Sequence, residues 1–165
     1  MFEKEIHTIK SRSRAGLWGS VAAVIAAAVF YYAAPWQFRQ SEQVSRWMLV
    51  MGTVLAVLTV SMALITIRHR VPSLRKQETL QAKLKGYASH ISSLYLTVLA
   101  AVVLVCFLMV LSGQNALLML AMVATLTLFL AFPNIYRIKT DLGLSDEEMR
   151  SLFGDRYIAA AKDED

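Results

Sequence analysis

The three histidines and the single cysteine are the side chains of this sequence best suited to metal binding or nucleophilic chemistry. They are His7, His69, His90 and Cys106. No two histidines are four residues apart, and none has a cysteine or a cluster of acids at the spacing of a zinc site. Cys106 lies inside an apolar run, where a thiol packs as a small hydrophobic group. The pattern predicts no metal, no cofactor and no catalytic residue, and we expect the protein not to be an enzyme.

Three acids near the C terminus, Asp141, Asp146 and Glu147, are the remaining candidates for a cation site. They do not follow the alternating order of oxygen ligands in a calcium loop. Proton relay and ion transport usually depend on an ionisable side chain at membrane depth. The apolar runs contain no Asp, Glu, Lys or Arg, and His90 lies near the edge of one run. We therefore expect His90 to be an interfacial residue without a role in a relay.

Four apolar runs dominate the chain, near residues 15–36, 47–67, 89–111 and 116–132. A helix needs roughly 20 apolar residues to cross the hydrocarbon core of a bilayer. Charged residues make up 18% of the sequence, whereas soluble domains carry about 25%. The sequence therefore predicts an all-α integral membrane protein with a single transmembrane domain. We expect a four-helix bundle of two antiparallel hairpins, with short amphipathic helices at the cytoplasmic side.

Lysine and arginine alternate between rich and poor segments along the chain. Four precede the first run, two separate the first and second runs, six lie in the central stretch, none lies in the turn at Ser112–Asn115, and five follow the last run. Segments rich in Lys and Arg stay in the cytoplasm, so both termini and the centre are predicted to be cytoplasmic. A bacterial inner membrane suits such a compact protein. Topology explains the net charge of +5 without nucleic acid, and the expected partners of Arg68–Lys85 are the lipid bilayer and its anionic headgroups.

The central stretch is predicted to form a basic helical arm over residues 73–88. Pro72 closes the second span in this interpretation, and Ser73 caps a new helix that continues into the third span. One face of the arm is apolar and consists of Leu80, Leu84 and Tyr87.

The C-terminal tail carries the signature of a helix over residues 146–160. Ser145 and Glu148 have the spacing of a capping box, and an apolar face follows, with Met149, Leu152 and Phe153. The tail from Pro133 has five basic and eight acidic residues, whereas the central stretch has six basic and one acidic. We expect the tail helix to lie against the arm or against the base of the bundle, so that the two apolar faces form a small intramolecular cap. The alternative is that they bind a partner protein.

Small residues recur every third or fourth position on the predicted spans. Helices in lipid associate through such residues, which permit close approach of the backbones. We expect intramolecular contacts along these stripes, and the alternative is a seam for a homodimer or a partner helix. The stripe of the second span is Gly52, Ala56, Thr59 and Ala63; others are Gly16, Gly19, Ala23 and Ala27 on the first, and Ser89, Ser93, Thr97 and Ala101 on the third.

Without catalytic groups, the predicted function depends on surfaces. The sequence favours an accessory, adaptor or scaffold subunit of a membrane complex, which binds a membrane-protein partner or forms a homo-oligomer. The alternative is a small oligomeric transporter or channel. Because its spans are uncharged, such a pore would have to be lined by Ser and Thr hydroxyl groups.

Overall fold

The structure is a computed structural model that describes residues 3–33 and 41–154. Its regular structure is helical, and no strand occurs in these two ranges. The predicted all-α class is therefore confirmed. The helices are α1 (Glu3–Ala33), α2 (Glu42–Ile65), α3 (Val71–Ser73), α4 (Leu80–Ser112), α5 (Asn115–Leu130), α6 (Ile135–Leu142) and α7 (Asp146–Phe153).

Three helical segments in the described part of the chain are long and apolar enough to cross a membrane. They cover Glu5–Ala33, Glu42–Lys76 and Leu80–Ser112. Helices α5 and α6 form a pair bent by 79° that would supply a fourth crossing. Pro133 lies in this bend, and the Asn134 side chain accepts a hydrogen bond from the Arg137 backbone N–H at 2.6 Å to start α6.

Helix α4 is the centre of the bundle and packs against α1, α2 and α5. Helices α1 and α4 run in the same direction, since Gly16 lies against Tyr95 and Gly19 against Leu99 one turn further along. The antiparallel pair α4 and α5 forms a packed hairpin. Helices α1 and α2 pack on α4 and α5, so the first hairpin is held together mainly through the second.

The end of the bundle that contains the α4–α5 turn, here named the turn end, is joined by hydrogen bonds. Gly113 closes α4 at φ 68°, a left-handed conformation that favours glycine. The Ser45 hydroxyl donates to the Ser112 carbonyl at 2.7 Å and accepts from Gln114 Nε2 at 3.0 Å. The Tyr31 hydroxyl donates to the Gly113 carbonyl at 3.3 Å. These contacts tie α1 and α2 to the same turn.

The opposite end, here named the basic end, contains the connection between α2 and α4 together with α6 and α7. The helical segment that begins with α2 does not stop at Pro72 as the sequence suggests. After Ile65 it widens to a π-helical turn over Thr66–Arg70, and α3 follows directly with Pro72 inside it. A proline ring meets the carbonyl four residues earlier in a regular helix, and the wider turn relieves this clash.

The prediction of an unbroken helical arm from residue 73 is wrong. The backbone is extended at Gln77 (ψ 137°) and at Thr79 (ψ 138°), after a 3-10 turn at Leu74–Lys76. The Thr79 hydroxyl accepts from the Ala82 N–H at 3.3 Å and caps α4. Only the part of the arm from Leu80 onward is therefore continuous with the long helix.

Two local contacts account for this break in the arm. The Ser73 hydroxyl donates to the Arg70 carbonyl at 2.6 Å, so it closes the preceding helix and does not cap a new one. Leu74 is buried in the core, and its Cδ2 lies 2.8 Å from the position that a Cβ on Gly86 would occupy. The chain reverses after Lys76 because burial of Leu74 against α4 requires it.

Candidate functional site

The six residues predicted to dock lie on the first turns of α4 and on α7, at the basic end, and the chain itself covers them. Leu84, Tyr87 and Met149 are completely buried. Leu80, Leu152 and Phe153 are half-buried and pack against the same core. Within the described residues this surface is an internal cap on the bundle, and it offers little apolar area to a partner.

Helix α7 begins with the predicted capping box, which is confirmed. The Ser145 hydroxyl accepts from the Glu148 N–H at 3.2 Å, and Glu148 Oε2 accepts from the Ser145 N–H at 2.8 Å. The Lys10 ammonium of α1 lies 5.7 Å from the centre of the Phe153 ring, a favourable cation–π distance. Helix α7 thus ends beside α1. The part of the predicted tail helix from residue 155 to 160 lies outside the described residues.

A polar network fixes α6 beneath α4. Arg75 donates through Nε to the Asp141 carbonyl at 3.1 Å and through Nη2 to the Thr140 carbonyl at 2.5 Å. A guanidinium at these last carbonyls stabilises the C-terminal end of the helix. The Tyr87 hydroxyl donates to Asp141 Oδ2 at 3.1 Å, and Arg137 Nε lies 3.5 Å from the same oxygen.

Burial raises the pKa of the Asp141 carboxyl above its ordinary value. The positive charge of Arg137, the hydrogen bond from Tyr87 and the charge of Arg75 lower it, but they do not cancel the desolvation. The sequence suggested attraction between the basic stretch and the acidic tail. Arg75 instead binds backbone carbonyl groups of α6, and the Asp141 side chain is engaged by Tyr87 and Arg137.

The small-residue seam of α2 faces the interior of the bundle. Its four members, Gly52, Ala56, Thr59 and Ala63, are all buried. A Cβ on Gly52 would collide with Leu117 Cδ2. The Thr59 hydroxyl donates to the Leu55 carbonyl of its own helix at 2.7 Å, so it needs no partner across the interface.

The hydroxyl stripe of α4 lies elsewhere than the sequence suggested. Ser89, Ser93 and Thr97 are exposed, and only Ala101 is buried. Bulky residues at the same helical spacing take the buried face, including both tyrosines of this helix. They are Leu84, Tyr87, Ile91, Leu94, Tyr95 and Val98. Leu84 and Tyr87, which the sequence analysis placed on one apolar face, belong to this buried side.

The exposed hydroxyl residues lie between two clefts that start near the basic end and extend along α4. Between α2 and α4 lies a small cleft of about 70 Å³, here named the α2/α4 cleft. Between α1 and α4 lies a wider groove of about 650 Å³, here named the α1/α4 groove. Ser93 borders both. The two spaces follow from the arrangement of the bundle, because α1 and α2 leave part of α4 uncovered between them.

The α2/α4 cleft is lined by four hydroxyl-bearing residues and by two residues with basic side chains. The hydroxyls belong to Thr59, Thr66, Ser93 and Thr97, and the basic groups to Arg70 and His90. His90 therefore lines the same cleft as Arg70. The described part of the chain contains no group of three or more His, Cys, Asp or Glu that could hold a metal ion.

Cys106 is buried on α4 among the core residues. A thiol in such a place packs as a small hydrophobic group.

No known protein family, curated protein or solved structure matches the chain. The function must therefore be argued from the two clefts, the basic end and the apolar exterior.

Proposed function

We propose that this protein is a non-catalytic accessory, adaptor or scaffold subunit of a membrane complex, which joins its partner along the α2/α4 cleft. The observation that carries the proposal is the position of the Ser and Thr hydroxyl groups. Thr66, Ser93 and Thr97 line a cleft on the outside of a bundle that exposes large apolar side chains over much of α2, α4 and α5.

Location in a membrane is supported by the large exposed apolar side chains of α2, α4 and α5. Contiguous apolar surface of more than a few hundred Å² is rare on soluble monomers, and it marks a site of membrane or protein interaction. More than half of each of these six side chains is exposed: Val54, Val57, Leu58, Leu104, Phe107 and Leu126. The length of the apolar helices agrees with this location.

The proposed orientation places the basic end in the cytoplasm, with a bacterial inner membrane as the proposed site. Its exposed cations include Arg68, Arg70 and Lys76, and segments rich in Lys and Arg are retained on the cytoplasmic side. An alkaline-phosphatase fusion after Gln114 should be active and one after Lys76 inactive. The reverse pattern would contradict the orientation.

The proposed partner contributes a transmembrane helix with Gly, Ser or Thr on one face. In lipid, hydroxyl groups hydrogen-bond across helices, and small residues allow close backbone approach. At about 70 Å³ the α2/α4 cleft is too small for a folded element, but a helix laid along its rim would bring hydroxyl groups within reach. The cap at the basic end already covers its own apolar faces, which leaves the membrane-facing cleft as the better docking surface.

A photo-crosslinking side chain placed at Thr97 tests this contact in intact membranes. The matched control is Val123, which is exposed on the apolar surface of α5. We expect an adduct of one defined mass from position 97 and none from position 123. Ser93→Leu should reduce the adduct, whereas Met119→Leu on the exposed surface of α5 should not. Equal crosslinking from positions 97 and 123 would refute the proposal.

The second candidate is an oligomeric transporter or channel lined by these hydroxyl groups. It is favoured by the same observation, because hydroxyls on the outside of one bundle would line a path only between copies. In that case the adduct from position 97 would be a multimer of this chain, and purified protein in liposomes would conduct a solute. Adducts to a different protein, with no flux, would support the adaptor function.

A further inference from the structure

The α1/α4 groove is polar at one end and apolar at the other. Arg12, Ser89, Ser92 and Ser93 line it on one side of Tyr95, toward the N-terminal ends of both helices. Leu96 and Leu99 line it further along α4, and Leu96 is 68% exposed. Because α1 and α4 run in parallel, the polar residues gather at the basic end, and the leucines lie deeper in the proposed membrane.

We propose that this groove is a binding site for one anionic phospholipid, with its phosphate at Arg12 and the serine hydroxyls and an acyl chain along Leu96 and Leu99. The inference rests on the membrane location proposed above, but not on the adaptor function. It assigns a site on α1 and α4, outside the stretch Arg68–Lys85 where the sequence suggested general attraction to headgroups.

The donors at the polar end suit a phosphate group. Ser92 lines the groove, and its hydroxyl oxygen has no hydrogen-bond partner among the described residues. This oxygen is closed to solvent, so a ligand oxygen would satisfy it once the side chain turns toward the groove. Arg12 supplies a charged, planar donor set that matches phosphate geometry. Lys85 lies one helical turn before Ser89 on the same face of α4 and is also exposed.

Glu5, the acid of α1 whose side chain the structure describes, precedes Arg12 by seven residues, which is about 10 Å along the helix axis. The groove volume of about 650 Å³ admits a headgroup and part of a chain, whereas the α2/α4 cleft, at about 70 Å³, does not. A free phosphate would use only the polar end, and the adjoining leucines are the reason to assign a lipid.

Native mass spectrometry of the full chain in mild detergent provides the test. Dioleoylphosphatidylglycerol is titrated against dioleoylphosphatidylcholine, and glycerol 3-phosphate serves as the competitor without acyl chains. We expect one phosphatidylglycerol bound roughly tenfold or more tightly than phosphatidylcholine, because both lipids carry the phosphate but only phosphatidylcholine brings a choline cation next to Arg12. Glycerol 3-phosphate should not displace it.

Arg12→Gln should remove this preference, and Arg12→Lys should keep most of it. The matched control is Arg14→Gln, which makes the same charge change at another exposed arginine of α1. Leu96→Gln should weaken the binding of both dioleoyl lipids without changing the preference for the anionic headgroup. Melting temperatures of all variants without lipid, and the increase on adding phosphatidylglycerol, separate loss of the site from loss of the fold.

An equal effect of Arg12→Gln and Arg14→Gln would overturn the proposal, because it would mean general attraction to basic charge. Displacement by glycerol 3-phosphate would also overturn it, in favour of a free phosphate ligand, and so would an absence of lipid binding. The phosphatase fusions test membrane orientation independently, so failure of the lipid site is distinguishable from failure of the proposed location.

Discussion

Replacement of Gly16 by alanine tests how closely α1 and α4 approach. A Cβ at this position would lie 2.9 Å from both Cβ and Cδ1 of Tyr95, well inside an ordinary carbon contact. Tyr95 has little freedom to move, because it is buried and its hydroxyl donates to the Leu128 carbonyl at 2.8 Å. The two helices must therefore separate to admit the methyl group.

The expected magnitude is a balance of two effects. Overpacking costs about 1–3 kcal/mol, and alanine in place of glycine in a helix interior gains about 1 kcal/mol. Gly19→Ala is the matched control on the same helix. Its Cβ would lie 3.2 Å from Leu99 Cδ1, the end of a flexible, half-buried side chain that moves more easily. The helix-propensity gain is the same in both variants, so their difference isolates the packing effect at about 1–3 kcal/mol.

Thermal unfolding in mild detergent, followed by tryptophan fluorescence, provides the measurement. For a chain of this length each kcal/mol of unfolding free energy shifts the melting temperature by about 3 °C. The melting temperature of Gly16→Ala should therefore lie roughly 3–9 °C below that of Gly19→Ala. Gly52→Ala should fall between them, since the obstructing Leu117 atom is a terminal methyl but its side chain is completely buried. A melting temperature of Gly16→Ala equal to or above that of Gly19→Ala would refute the close approach.

The remaining predictions concern the two polar ends. Tyr87→Phe should destabilise the protein by about 1 kcal/mol in thermal unfolding, since it removes the hydrogen bond to Asp141; no change would mean that the bond contributes nothing. Arg75→Gln should speed hydrogen exchange in α6 but not in α5, because only α6 loses its C-terminal donor. Burial raises the folded-state pKa of Asp141, so the folded protein takes up its proton at higher pH than the unfolded chain. Wild type should therefore gain stability relative to Asp141→Asn as pH falls through that folded pKa, and a flat difference would contradict it. Ser45→Ala should destabilise by about 1–3 kcal/mol, since it leaves the buried Ser112 carbonyl and the Gln114 amide without their partner.

Local signals in the sequence were sufficient for much of the helical architecture. The capping box at Ser145 and the turn at Ser112–Asn115 both lie where the sequence placed them. Each depends on a few neighbouring residues, so it can be recognised without knowledge of the fold. Ser73 shows the limit of this approach. Its hydroxyl has two possible backbone partners, and burial of Leu74 against α4 decides between them.

The orientation of α4 could not be derived from its composition. An amphipathic helix shows its buried side through polarity, but the exterior and the interior of this bundle are both apolar. Small residues mark close contact on α2, where Gly52 is buried, yet on α4 Ser93 and Thr97 are exposed. The network of Tyr87 and Asp141 was also missed, because the two residues are 54 positions apart and no local pattern connects them.

The arrangement of the polar contacts explains how the bundle keeps a fixed register while part of α4 stays uncovered. Lipid supplies no hydrophobic force between helices, so their register depends on close packing and on directional hydrogen bonds. Directional hydrogen bonds join Ser45 to the turn end and Arg75 to α6 at the basic end. Between these ends the helices need only complementary shape, which Gly16 and Gly52 provide. A partner helix or a lipid can therefore occupy the exposed clefts without breaking any of these bonds, and for that reason the two clefts are the better candidates for binding than the closed cap.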